Sequence, residues 1–242
     1  MQYIIIGNYG NHSLAVMQYL IDRDLSALHF IYVETGWASP FWKDRVLACS
    51  DYARSRGVIV HTLKAPASFS EMVIDRKQFP SRKFQWCASF IKGLTILAHL
   101  DEIDPACEAL IISGKRRYDS RRYADLTEFE DNNDLYQGRT LWYPLWQTSN
   151  EEFAGLIKKT NLEWLSHPSM ECSPCIHSPI NVLPHLDSST LARLEALEQE
   201  TGQTMFQQPI HQLCVPVSTA KEEKSCLQQF DAGCGAVWGC GE

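Results

Sequence analysis

Short apolar runs alternate with helix-periodic stretches through the first half of the chain. Tyr3-Ile4-Ile5-Ile6 is apolar throughout, which predicts a strand buried on both faces. It breaks at Gly7-Asn8-Tyr9-Gly10-Asn11-His12 and gives way to a helix from Ser13 through Leu20. Residues 28–33 predict a second strand, ending in Glu34-Thr35-Gly36, and 41–56 a helix. Residues 58–63 predict a third strand, 90–100 a helix, and 109–113 a fourth strand ending at Gly114. Strands alternating with helices are the pattern of a parallel sheet with helices on both faces, an α/β fold.

Beyond that point the pattern loosens. Residues 118–138 are polar and acidic without periodicity and read as a loop or lid. Residues 140–145 predict a short strand, and 150–160 a helix capped by Ser149 or Asn150. After Pro168 come a cysteine pair, an amphipathic helix over 189–199 and a tail rich in cysteine and glycine. We therefore expect a nucleotide-binding domain over 1–177 and a small extension over 178–242.

The chain has 242 residues, 45% of them hydrophobic and 21% charged, which suits a folded globular protein. Its net charge of −7 excludes a generic polyanion binder, so any hold on phosphate needs a local basic cluster. No apolar run is long enough for a membrane span, and the first strand is too short for a signal-peptide core. The expected location is the cytoplasm, where disulfides are rare, so the nine cysteines need another explanation. Cys49, Cys107 and Cys214 lie in apolar stretches and read as core thiols, whereas Cys87, Cys172, Cys175, Cys226, Cys234 and Cys240 are open to chemistry.

A Gly/Asn-rich turn between a buried strand and a helix can gather backbone N–H groups on an anion. By itself the turn at 8–13 is equally a tight connection. Four further segments set it in a series: Glu34-Thr35-Gly36; Trp86-Cys87 with Lys92; Gly114-Lys115-Arg116 running to Asp119-Ser120 and Arg122; and Tyr143-Pro144-Leu145-Trp146 before the Glu151-Glu152-Phe153 helix.

This series resembles the phosphoadenylylsulfate reductase family, which belongs with the PP-loop ATP pyrophosphatases. The likeness runs from residue 3 to residue 176. It implies that Asn8, Gly10, Asn11, His12 and Ser13 form the phosphate loop, and that Glu34, Thr35 and Gly36 form the family's acidic-Thr-Gly turn. Gly114, Asp119 and Ser120 match its later Gly and acidic-Ser element, while Lys92, Arg116 and Arg122 supply cations to phosphate oxygens. All would gather at the carboxyl edge of the sheet, where such folds bind ligands.

The chain departs from the family at the loop. The usual Ser-Gly-Gly-Lys-Asp-Ser becomes Asn8-Tyr9-Gly10-Asn11-His12-Ser13, so the loop lysine is lost, and a protonated His12 would replace part of its charge. The tail also lacks the Glu-Cys-Gly-(Ile/Leu)-His context of the cluster-free sulfonucleotide reductases.

The resemblance implies ATP as cofactor with Mg2+, and a [4Fe–4S] cluster, with zinc as the alternative. Cys87, Cys172 and Cys175 would share that centre, with Cys234 or Cys240 as a fourth ligand or the fourth iron site left open to take sulfide. Against this stand a redox dithiol in the Cys172-Ser173-Pro174-Cys175 pair or structural thiols, and His177 reads as a surface or outer histidine. The implied activity is adenylation of an acceptor followed by sulfur transfer. In size and cysteine layout the chain is most similar to the ATP pyrophosphatases of DNA phosphorothioation systems. Expected partners are an adenine nucleotide, a cysteine desulfurase, DNA and a second copy of the chain. The alternatives are a sulfonucleotide reductase and a non-catalytic nucleotide-binding protein.

Overall fold

The computed structural model describes residues 1–214 and 238–240. Six strands form one sheet: β1 (Tyr3–Ile6), β2 (Leu28–Glu34), β3 (Ile59–Lys64), β4 (Leu110–Ile112), β5 (Phe129–Glu130) and β6 (Leu141–Trp142), in the order β3-β2-β1-β4-β6-β5. All neighbouring pairs are parallel except β5 with β6, which is antiparallel and closes one edge. The expected parallel sheet with helices on both faces is thus found, with β5 as one antiparallel edge strand. That strand is two exposed residues inside the 118–138 stretch, too short and polar to leave a periodic signal.

Alternating side chains of the central strands face two cores, as the pleat requires. Ile4, Ile6, Ile31, Val33 and Ile111 enter one apolar cluster. Ile5, Phe30, Tyr32 and Ile112 enter the other. On the second side lie α1 (Asn11–Ile21), α2 (Trp42–Ser55) and α5 (Asn150–Lys159), with α1 packed on α5. On the first lie α3 (Phe69–Arg76), α4 (Leu94–Ile103) and α6 (Ser188–Thr201), with α3 packed on α6.

Local chemistry sets the helix starts. Ser68 and Glu71 form a reciprocal capping box on α3, and Ser149 and Glu152 form another on α5. The 90–100 helix begins differently from expectation: Cys87–Gly93 is a π-helical turn that leads into α4. Such wide turns recur at functional sites.

Residues 178–214 share their core with the sheet. Leu183, Leu194, Leu197 and Ile210 sit in the same cluster as Ile4 and Ile111. Arg193 of α6 donates to Trp37 O, Ala38 O and Ser173 O, tying the extension to the loop after β2 and to the cysteine pair.

At the outer strands three imidazoles form a chain. His29 Nδ1 lies 2.9 Å from His61 Nε2, and His61 Nδ1 lies 2.9 Å from His99 Nε2. Both nitrogens of His61 are therefore taken by other rings.

Candidate nucleotide and thiol site

The loop after β1 is held by its own first residue. Asn8 Oδ1 accepts from Gly10 N at 2.8 Å and from Ser13 Oγ at 3.1 Å, while Asn8 N donates to Ser13 Oγ. Asn11, at the family's lysine position, donates to Leu165 O and accepts from Leu165 N, so its amide pins the 160s loop instead of a phosphate. Tyr9 stands at the position of the family's first glycine and has φ 63°, the left-handed conformation glycine takes readily. Its ring is fully buried, stacked 4.4 Å from Phe30, and its hydroxyl accepts from Ser50 Oγ. Burial pushes the Tyr9 hydroxyl up to about 12, against the lowering effect of Ser50. The side chains of the loop thus turn inward.

Gly114, at the end of β4, touches this loop so closely that a Cβ there would meet His12 O at 2.4 Å. Beyond it, Asp119 gathers the next group. Its Oδ2 lies 3.0 Å from His12 Nε2 and accepts from Arg116 N, and its Oδ1 accepts from both Arg116 Nε and Nη2. Burial alone would raise the Asp119 carboxyl, but His12 and Arg116 outweigh it and hold it below the usual range. Arg116 Nη1 donates to Thr148 O, Ser149 O and Asn150 Oδ1, and its guanidinium lies 4.0 Å over the Phe153 ring.

A second charged group lies deeper. Lys92, on the π-helical turn, donates to both oxygens of Glu171 at 3.1 and 2.9 Å and to Gly239 O at 3.0 Å. Burial disfavours the ammonium, yet neighbouring anionic groups, Glu171 among them, keep it charged and raise its pKa. Glu171 also accepts from Asn8 Nδ2, which donates to Ser169 Oγ as well. Thr35 Oγ1 donates to Glu171 O, so the acidic-Thr-Gly turn holds the same residue from behind.

The thiols surround this pair. Cys87 opens the π-helical turn, Cys172 follows Glu171, Cys175 lies one turn on, and Cys240 follows Gly239. Cys87, Cys172 and Cys175 form no disulfide. Burial raises the Cys175 thiol to about 11 and raises Cys87 and Cys172 further, with the other thiols, including Cys240, adding to each shift. The four groups are thus near enough to oppose one another's ionisation. Among the described residues, however, no group of three or more His, Cys, Asp or Glu side chains is arranged to hold a metal ion. The two findings agree if the sulfurs are neighbours that do not converge on one point.

Residues 2–166 match the family described as the phosphoadenosine phosphosulfate reductase domain. The chain belongs to this family. Among solved structures it is similar to the phosphoadenylyl-sulfate reductase of Candida auris in a phosphate complex, at 14% identity over 67% of this chain and 74% of that one, with a TM-score of 0.47. It is also similar to the U34-tRNA thiolase NcsA of Methanococcus maripaludis with its [4Fe-4S] cluster, at 13% identity over 90% of this chain and 82% of that one, with a TM-score of 0.48. No curated protein matches the chain. Membership of the family supports sulfur chemistry dependent on an adenine nucleotide.

Within this reductase-family frame, the expected site residues fall into three groups. Asn8, Gly10, Asn11, His12, Ser13, Gly114, Arg116 and Asp119 meet at the carboxyl edge of β1 and β4. Thr35, Lys92, Cys87, Cys172 and Cys175 form the deeper group around Glu171. Glu34 and Gly36 are exposed at the end of β2, and Ser120 and Arg122 lie on a short 3-10 turn, Ser120 Oγ accepting from Arg122 N.

Several of the expected residues have partners of their own in the structure. Lys92 gives its hydrogen bonds to Glu171 and Gly239 O rather than standing free for phosphate, because a buried ammonium needs an anion within reach. His12 Nε2 faces Asp119, so a protonated ring there would meet a carboxylate before any nucleotide. Three sulfurs arranged around one metal ion are not found among the described residues. His177 is buried, its Nε2 3.0 Å from Gln85 Nε2. Burial lowers its imidazole, and the charges of Arg82 and Arg122 lower it further. Cys226 and Cys234 lie outside the described residues.

Proposed function

We propose that the protein uses ATP to adenylate an oxygen of an anionic acceptor and then exchanges that oxygen for sulfur. One observation carries the reading: Glu171 accepts hydrogen bonds from Asn8 of the phosphate loop and from Lys92 among the thiols. A nucleotide on the loop and sulfur at the cysteines would then lie on either side of one carboxylate.

In this reading an acceptor oxygen attacks the α-phosphorus of ATP and expels pyrophosphate, with Mg2+ neutralising the leaving group. The terminal sulfur of a persulfide, brought by a cysteine desulfurase, then attacks the activated centre and AMP leaves with the oxygen. A second thiol reduces the remaining S–S bond and is itself left in a disulfide. The helix α1 N-terminus and the loop amides position the phosphates, and Arg116 with Asp119 fixes the wall beside His12. The acceptor we favour is a DNA phosphodiester, since Arg82 and Arg122 face His177 just past the cysteine pair and supply local cations on an acidic protein.

The donors are all thiols, the chemistry of an iron–sulfur cluster or of zinc, although among the described residues no group is arranged to hold a metal ion. Zinc would draw its thiolates to about 2.3 Å from one ion, whereas a cube of four irons spreads its thiolates apart. Cys87, Cys172 and Cys175 would hold it, and when bound it would supply thiophilic iron next to the activated acceptor.

Incubation with ATP, Mg2+, a persulfide donor and DNA should release pyrophosphate and AMP in equal amounts. Sulfite release from a sulfated adenosine nucleotide with thioredoxin would instead mark a reductase. A binding-only role is favoured by one feature, the occupation of Gly10 N and Ser13 Oγ by Asn8 Oδ1. Calorimetric ATP binding without any pyrophosphate would decide for that role.

A further inference from the structure

Among the described residues the buried lysine and arginine side chains are Lys92, Lys115, Arg116 and Arg139. Three of them have a carboxylate. Lys92 pairs with Glu171 at 2.9 Å, Arg116 with Asp119 at 2.7 Å and Arg139 with Asp104 at 2.7 Å. Lys115, only 5% exposed, has no such partner among the described residues. Its ammonium stands over the Tyr123 ring, 5.3 Å from the centroid. At that distance a ring face returns only a small part of the hydration that a buried ammonium gives up. A cation held in this way is short of an anion.

Its place in the fold says which anion. Lys115 follows Gly114, which packs on the phosphate loop so tightly that a Cβ would meet His12 O at 2.4 Å. The next two side chains part company there. Arg116 runs to Asp119 and over the Phe153 ring, whereas Lys115 runs to Tyr123 on the turn Arg121–Tyr123. The other cationic positions of the crevice are already answered. Asn11 stands where the family has its loop lysine and holds Leu165, His12 faces Asp119, and Lys92 is closed off by Glu171. Loop amides and the start of α1 can orient phosphates. A polyphosphate still brings several negative charges to a chain of net charge −7, and a full positive charge beside it is the strong way to hold it.

We propose that Lys115 binds a phosphate of the nucleotide, supplying from the end of β4 the charge that the loop has lost with its lysine. The proposal rests on the ATP reading above and names the residue that meets the charge of that ligand.

A binding cation and a structural one have opposite effects on the free protein. An ammonium without a partner weakens the fold until its ligand arrives. Lys115→Met, which keeps the length of the stem, should therefore leave the urea midpoint of the free chain unchanged or raised. Calorimetry of the full chain with ATP and Mg2+, and separately with adenosine, supplies the second measurement. Lys115→Met should bind ATP at least about tenfold more weakly than wild type, the loss of one charge-assisted hydrogen bond. Its affinity for adenosine should be that of wild type, and Lys115→Arg, which keeps the charge, should retain most of the ATP affinity. A lowered urea midpoint in Lys115→Met would reveal a structural partner and overturn the proposal. Unchanged ATP affinity, or equal losses for ATP and adenosine, would overturn it too, while leaving the nucleotide reading in place. Wild-type protein that binds neither ligand would defeat that reading and the role of Lys115 together.

Discussion

Lys92 and Glu171 form an ion pair sealed from solvent, the ammonium 2.9 Å from the nearer carboxylate oxygen and each side chain 3% exposed. Residues 79 positions apart are thereby locked between the phosphate loop, the cysteine pair and the Gly239 carbonyl. Neither charge would be tolerated there alone, because an isolated buried ion loses its hydration without compensation.

Removing one partner should therefore cost more than removing both. Lys92→Met leaves Glu171 buried and unpaired and is expected to lose about 3–5 kcal/mol of stability. Lys92→Met with Glu171→Leu should recover much of that loss, since a buried pair replaced by apolar groups is often near neutral. Urea unfolding of the three proteins gives the comparison. Equal losses in the single and double variants would show that the two charges are not coupled.

Gly114→Ala tests the contact between β4 and the phosphate loop. The added methyl would stand 2.4 Å from His12 O, a backbone atom that cannot swing aside. We expect a loss of about 1–3 kcal/mol from overpacking, and weaker binding of ATP because the loop must shift. Gly155→Ala, in helix α5 and meeting nothing within 4 Å, is the control: it should leave ATP binding unchanged and gain up to about 1 kcal/mol of stability from helix propensity. Normal ATP affinity in Gly114→Ala would mean that the 8–13 loop does not hold the nucleotide.

The three-histidine chain makes stability depend on pH. Burial is the main cause that lowers His61, to about 4 from 6.5, and the nearby His99 and His29 add to it. His29 on β2 is lowered in the same way, and Glu102 on α4 faces His99 from the far end at 3.5 Å. A depressed imidazole favours the neutral form in the folded state, so the unfolded chain binds protons first as pH falls. The contribution is intact above pH 6.5 and is lost between 6.5 and 4. Discounted for partial exposure of the ring, the loss should be about 1 kcal/mol. Denaturant melts at pH 7.5 and 5 should show it, and His61→Gln should flatten the difference. A mutant with the wild-type pH dependence would assign the effect to other groups.

Strands β1 and β2 were legible because they are buried on both faces, leaving Tyr3–Ile6 and the stretch Phe30–Val33 apolar without interruption, whereas β3 is largely exposed and mixes polar residues in. Helix α3 carried a readable signal, Ser68 followed three residues later by Glu71, that the periodicity did not announce. The position of the phosphate loop followed from strand, turn and helix in sequence. Its internal closure by Asn8 did not, since a side-chain amide gives no sign in the sequence of which donors it will meet. Glu171 was missed for the same reason, although a lysine destined for the interior always implies a partner. The packing of Trp238 needed the fold, because its contacts with Gly93 and Tyr136 join segments more than a hundred residues apart.

The sheet order has a consequence for how the chain is made. Strand β1 lies between β2 and β4, so its second edge stays open until Leu110–Ile112 has been synthesised. At about 5–20 residues per second, the interval between β2 and β4 on a ribosome is on the order of 4–16 s. Throughout that interval Ile4, Ile5 and Ile6 present an unpaired apolar edge to the surroundings. The nascent protein should therefore be a client of ribosome-associated chaperones until its fourth strand emerges, and slow codons placed between residues 34 and 110 should lower its soluble yield.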